Sequence, residues 1–163
     1  MIILGIDPGL ATIGYGVIKS EKGQFTAIDC GIISTPAKMS VPERLSLIEK
    51  GILSVTEKYS PDAAAVEELF FTKNITTGIT VAEARGVILL TLLKSCKQLY
   101  EYTPNEIKKA VTGYGSADKF QVQQMTTALL RLAEIPKPDD AADALAIALC
   151  HAQTGRLSGA FKM

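Results

Sequence analysis

Residues 1–34, MIILGIDPGLATIGYGVIKSEKGQFTAIDCGIIS, hold three β-rich runs separated by turns, and the architecture follows from them. MIILGID is apolar and β-prone up to Asp7-Pro8-Gly9, a strong turn signal. Ile13–Lys19 then alternates small and apolar residues, Glu21-Lys22-Gly23 makes a hairpin connection, and Phe25–Ser34 reads as a third strand. This spacing predicts an antiparallel meander.

Downstream the period changes. Pro42-Glu43 opens a helix with Leu45, Ile48, Ile52 and Val55 at helical spacing, stopping before Ser60-Pro61. Ala63–Val66 is a short buried strand ending in Glu67-Glu68. A helix over Thr77–Lys94 is apolar nearly all round in its second half, so one packing surface does not cover it. It is either sandwiched within the domain or covers a subunit interface along residues 79–93. Leu99–Tyr102 reads as a fifth strand and Pro104 starts a helix to Thr112. Asp118 caps a further helix, to about Ala133, and a last one runs from Asp139, as its N-cap, to about Gln153. The predicted class is α/β: a five-stranded mixed sheet, its first three strands antiparallel, flanked by helices. At 163 residues the chain predicts one domain over 1–153, with a mobile tail over 154–163 that carries no periodic signal.

Composition narrows the functional classes. With 47% hydrophobic residues the chain is no disordered segment, and its apolar runs fall far short of the ~20 residues of a membrane helix. Met1–Ile6 lacks the basic flank and length of a secretory signal, so a soluble cytoplasmic protein is expected. Cys30, Cys96 and Cys150 form no Cys-x-x-Cys pair, which leaves zinc and redox motifs unsupported. His151 stands alone as a possible imidazole base and lies in an apolar helix. Net charge is zero, yet residues 81–138 carry eight basic against five acidic groups, a local surface able to meet phosphates.

Carboxylates are therefore the remaining candidates for chemistry. Asp7 ends an apolar strand, where a charge is expensive unless compensated, although Asp also commonly opens such a turn. Glu67 ends a second apolar strand, and alternation sends Glu67 and Glu68 to opposite faces; both can equally be exposed at a strand end. In DDAADALAIA (139–148), Asp140 and Asp143 share one helix face. Acids at a helix N-terminus also stabilise its dipole, which explains Asp143 least well. If convergent, the four acids need a cation to remain ionised, and hard oxygen donors without His or Cys select Mg²⁺ or Mn²⁺. Two such ions suit an in-line phosphoryl displacement.

MIILGIDPG with GYGVI, AVEELFFTKN, EARG, GYGSADK and DDAADALAIA, in that order, resemble the RuvC family of Holliday-junction resolvases across nearly the whole chain. The resemblance implies an RNase H-like fold and a homodimeric, Mg²⁺-dependent endonuclease that resolves four-way DNA junctions by paired nicks, with two ions per site and Mn²⁺ as a substitute. The family's catalytic, metal-holding acids fall by motif on Asp7, Glu67, Asp140 and Asp143, with Glu68 and Asp139 as neighbours. Phe70 matches an aromatic used against unpaired bases, Lys108 and Lys119 match lysines that contact phosphates, and a RuvA–RuvB branch-migration complex is the implied partner. Ile13 departs from the pattern, since many members carry Thr there. Two other classes start from similar features. An actin-like ATPase shares Gly-Ile-Asp-x-Gly, but 163 residues hold no second lobe and no second phosphate loop. A non-catalytic junction-binding scaffold would share the surface but not the cleavage.

Overall fold

The computed structural model describes residues 1–69 and 75–155, with the backbone alone over 75–77. Strands β1 (Ile2–Asp7), β2 (Thr12–Glu21) and β3 (Gln24–Ser34) form the expected meander. There follow α1 (Val41–Tyr59), β4 (Ala63–Glu67), α2 (Ile75–Ser95), β5 (Gln98–Tyr102), α3 (Pro104–Thr112), α4 (Lys119–Leu129) and α5 (Asp139–Thr154). The sheet order is β3-β2-β1-β4-β5, with β1–β4 and β4–β5 parallel. This is the mixed five-stranded sheet that the sequence predicts.

Alternation along the strands builds two cores. Leu4, Ile6, Ile13, Val17, Ala64 and Val66 pack against α1 and α2, while Ile3, Ile18, Ala63, Ala65, Tyr100 and Tyr102 pack under α5, α3 and α4. Each fully buried Ile or Leu contributes ~1.5–3 kcal/mol. Ile13, the departure from the family pattern, is one such residue and lies in the α1–α2 core.

Contact between α5 and the sheet depends on missing side chains. A Cβ on Gly14 would overlap the carbonyl oxygen of Asp140, and one on Gly5 that of Ala144. A Cβ on Gly16 would stand 2.6 Å from the Leu145 nitrogen. Gly5 faces Gly16 across the β1–β2 ladder and Gly14 faces Asp7. The three glycines form a smooth bed that lets the N-terminal half of α5 lie directly on the end of β1.

Two boundaries differ from the sequence reading. Helix α4 ends at Leu129 rather than near Ala133, because Arg131 takes the left-handed conformation (φ +54°) and stops the helical path. The N-cap of α5 is Pro138, so Asp139 joins Asp140 in the first turn instead of capping. Proline's fixed φ leads the chain into the helix there, and Asp139 acts through the dipole. Asp118 caps α4 as expected, its Oδ1 accepting from the Gln121 N–H at 2.8 Å. Among the described residues no helix is long and apolar enough to cross a membrane. The expected tail lies, from residue 156 onward, outside the described residues.

Candidate active site

Parallel neighbours β1 and β4 end side by side, with Ile6 opposite Val66, so Asp7 and Glu67 leave adjacent strand ends. Their alternate neighbours Ile3, Ala63 and Ala65 lie in the α5-side core, and the period of two sends both carboxylates to that same face. Asp140 and Asp143 approach it from the first turn and a half of α5. Four acids far apart in sequence thus converge.

Their charges register one another. Burial, then the negative charges of Glu67, Asp143 and Asp140, push the Asp7 carboxyl up to about 7, against the pull of Lys119. Burial and Asp143 raise Glu67, opposed by Lys119 and Lys108. Burial also raises Asp143, whose hydrogen bond and charge contact with Lys119 act the other way. The Lys119 ammonium lies 2.8 Å from Asp143 Oδ2 and 3.6 Å from Asp139 Oδ2. No three acidic, His or Cys side chains among the described residues are drawn together tightly enough to hold an ion as they stand. The donor set nevertheless fits a hard divalent cation: all-oxygen ligands, of which Asp7, Glu67 and Asp143 are penalised for ionising by burial and by neighbouring acids.

Beside the acids a cavity of about 200 Å³ is lined by Glu67, Asp143, Lys108 and Lys119 over an apolar floor that includes Ile107 and Val122. Lys108 and Lys119 therefore stand beside the carboxylates. Phe70 lies outside the described residues. Glu68 turns to the α2 side, its N–H donating to the Tyr102 carbonyl at 2.9 Å. There it meets the charge of Arg85, which is ion-paired with Glu101.

Several features escape the sequence reading. The closeness of Lys119 to Asp139 and Asp143 joins α4 to α5 and has no local signature. The Arg85–Glu101 pair joins α2 to β5. The glycine bed does have one, since Gly14 and Gly16 recur at the strand period on one face. Helix α2 exposes Ile79 (57%), Leu90 (54%) and Leu93 (67%), while Ala84, Ile88 and Leu92 are fully buried. Among the described residues, α2 is therefore covered on one side only and is not sandwiched.

Comparison with known proteins gives one consistent result. The family model described as crossover junction endodeoxyribonuclease RuvC matches residues 3–151. A crossover junction endodeoxyribonuclease RuvC of Clostridioides difficile (strain 630) is 53% identical over 162 residues, covering 99% of this chain and 96% of the relative. The Thermus thermophilus RuvC structure superposes with a TM-score of 0.91 at 35% identity, over all of both chains. The T. thermophilus RuvC in complex with Holliday junction substrate gives 0.90 at 32% identity, over 100% of this chain and 99% of that one.

Proposed function

The chain belongs to the RuvC family of crossover junction endodeoxyribonucleases, and from that premise we propose how its residues resolve a four-way DNA junction. The enzyme is a structure-selective endonuclease of recombination and repair on an RNase H-like sheet, hydrolysing phosphodiesters to 5′-phosphate and 3′-hydroxyl ends. The observation that carries the site assignment is the convergence of Asp7, Glu67, Asp140 and Asp143 on the α5 side of the β1 and β4 ends.

These four acids hold Mg²⁺, with Mn²⁺ able to substitute, as two ions per site. When bound, such ions stabilise the charge that develops on the phosphate and its departing oxygen. The chain's own residues do the rest. Asp7 and Glu67 stand at the ends of paired strands, and Asp140 and Asp143 stand on α5, so two rigid elements deliver the carboxylates to one face. Lys108 and Lys119 contact phosphates beside the cut and offset developing negative charge. Phe70 stacks on an unpaired base near the crossover, worth ~1–3 kcal/mol. The nuclease domain spans 1–153 and works in the cytoplasm, with a RuvA–RuvB branch-migration complex as partner.

Paired symmetric nicks require two sites related by a two-fold axis, hence a homodimer. The exposed stripe Ile79, Ala82, Gly86, Leu90 and Leu93 of α2 is the seam. Its small central residues let a second helix approach closely, as Gly86 has nothing within 4 Å of where a Cβ would stand.

Incubating a synthetic four-way junction with Mg²⁺ tests the reading. Wild type gives paired nicks in strands of like polarity, whereas Asp7→Asn binds the junction without cutting it. Full cleavage by Asp7→Asn overturns the assignment of the acids. Binding without cleavage by wild type leaves a scaffold instead of an enzyme.

A further inference from the structure

Lys119 occupies the first helical position of α4, the end of a helix dipole least favourable to a cation. The backbone there is pinned by a reciprocal cap: the Gln121 N–H donates to Asp118 Oδ1 at 2.8 Å and the Asp118 N–H to Gln121 Oε1 at 2.9 Å. From this fixed root the ammonium reaches 2.8 Å from Asp143 Oδ2, with Asp139 Oδ2 at 3.6 Å. It is also the cation whose field acts on Asp7, Glu67 and Asp143 alike. Among the described residues no three acids form a group able to hold an ion as they stand.

Resting on the four-acid reading above, we infer that Lys119 is the internal counter-ion of the metal-free enzyme. It holds Asp143 in an ion pair that a divalent cation must break, and it is free to take a DNA phosphate once that pair opens. An ammonium and a divalent cation on one carboxylate repel each other strongly, so Lys119 weakens metal binding while DNA is absent. A phosphate at the cut offers the ammonium another partner and relieves that competition. Junction and cation then favour each other's binding through Lys119, and the coupling is reciprocal. The device keeps the acids from assembling a competent site away from DNA.

Mn²⁺ titration of the full chain, read by the electron paramagnetic resonance of free Mn²⁺, tests this without reference to cleavage. Wild type, Lys119→Met, Lys119→Arg and Asp143→Asn are compared alone and with a phosphorothioate-substituted four-way junction. Without DNA, Lys119→Met binds Mn²⁺ about tenfold tighter than wild type and Lys119→Arg stays close to wild type. Adding the junction tightens wild type by a several-fold larger factor than it tightens Lys119→Met, and equal factors for the two overturn the coupling through Lys119. Equal or weaker Mn²⁺ binding by Lys119→Met, with Asp143→Asn clearly weakened, overturns the counter-ion role and leaves the four-acid site standing. Saturable Mn²⁺ binding untouched by Asp143→Asn overturns the four-acid reading and the inference together. Lys119 is an exposed residue, and thermal melts verify that its variants are folded.

Discussion

Asp7 sits where function and stability pull in opposite directions. Its carboxyl, ordinarily near 3.8, is pushed up to about 7 by burial and by the other acids. The unfolded chain has released that proton well below pH 7, while the metal-free fold still holds it. Stability therefore falls as pH rises from about 4 through 7, at up to ~1.4 kcal/mol per pH unit. Asp7→Asn removes the conflict. In EDTA at pH 7.5 it stabilises the protein by ~2–4 kcal/mol, seen as a raised denaturation midpoint, and cleavage is lost. A destabilised Asp7→Asn contradicts the electrostatic account. Burial cost alone singles out Asp7 and Asp143 as candidates and leaves structural roles open for Glu67 and Asp140, so the full set of four rests on the family's motifs. The link from Lys119 to Asp143 is not, since it spans two helices whose approach the sequence does not state.

Among the elements, α5 is the one whose placement makes the site. Gly14→Ala forces a methyl into the Asp140 carbonyl, so α5 must lift away from β2. The expected cost is ~1–3 kcal/mol of stability, with cleavage falling at least tenfold and junction binding retained. Denaturant melts and single-turnover cleavage measure the two, and near-normal cleavage shows that α5 tolerates displacement. Helix α2 makes the second test. Leu90→Glu places a charge in the exposed apolar stripe without entering the core, and it should yield a monomer by light scattering whose residual nicks are unpaired. A dimer surviving this change moves the seam elsewhere. The helical period shows that α2 has more apolar surface than one partner covers. It leaves open which residues stay outside, because that depends on how the helix rolls over β4 and β5. The end of α4 differs from the expected Ala133 for a related reason: it is set by the left-handed backbone turn at Arg131, which the helical period does not announce.

For the molecule as a whole, two buried groups tilt the pH profile in opposite senses. His151 is almost fully buried beneath β5, its ring 4.2 Å from that of Tyr100 and its Nδ1 sharing a 2.8 Å hydrogen bond with the Tyr102 hydroxyl. Burial lowers its pKa to about 4 from the usual 6.5. Between those values the unfolded imidazole takes a proton that the fold refuses, so stability drops as pH falls, by ~2–3 kcal/mol over the window. Asp7 acts the other way over nearly the same range. In EDTA the two slopes offset each other, and wild-type stability changes less between pH 4.5 and 6.5 than either group alone dictates. His151→Phe exposes the Asp7 slope, and its stability falls as pH rises. Asp7→Asn exposes the His151 slope, and its stability rises with pH. Chemical denaturation of the three proteins at half-unit pH steps reads these slopes directly. Parallel profiles for wild type and His151→Phe would show that the imidazole is not held neutral by the fold. On the proposed four-acid site, saturating Mg²⁺ raises wild-type stability most at the alkaline end, where protons compete least for the ligating carboxylates. The two groups balance only in the metal-free molecule, and loading the site is what turns its pH profile upward.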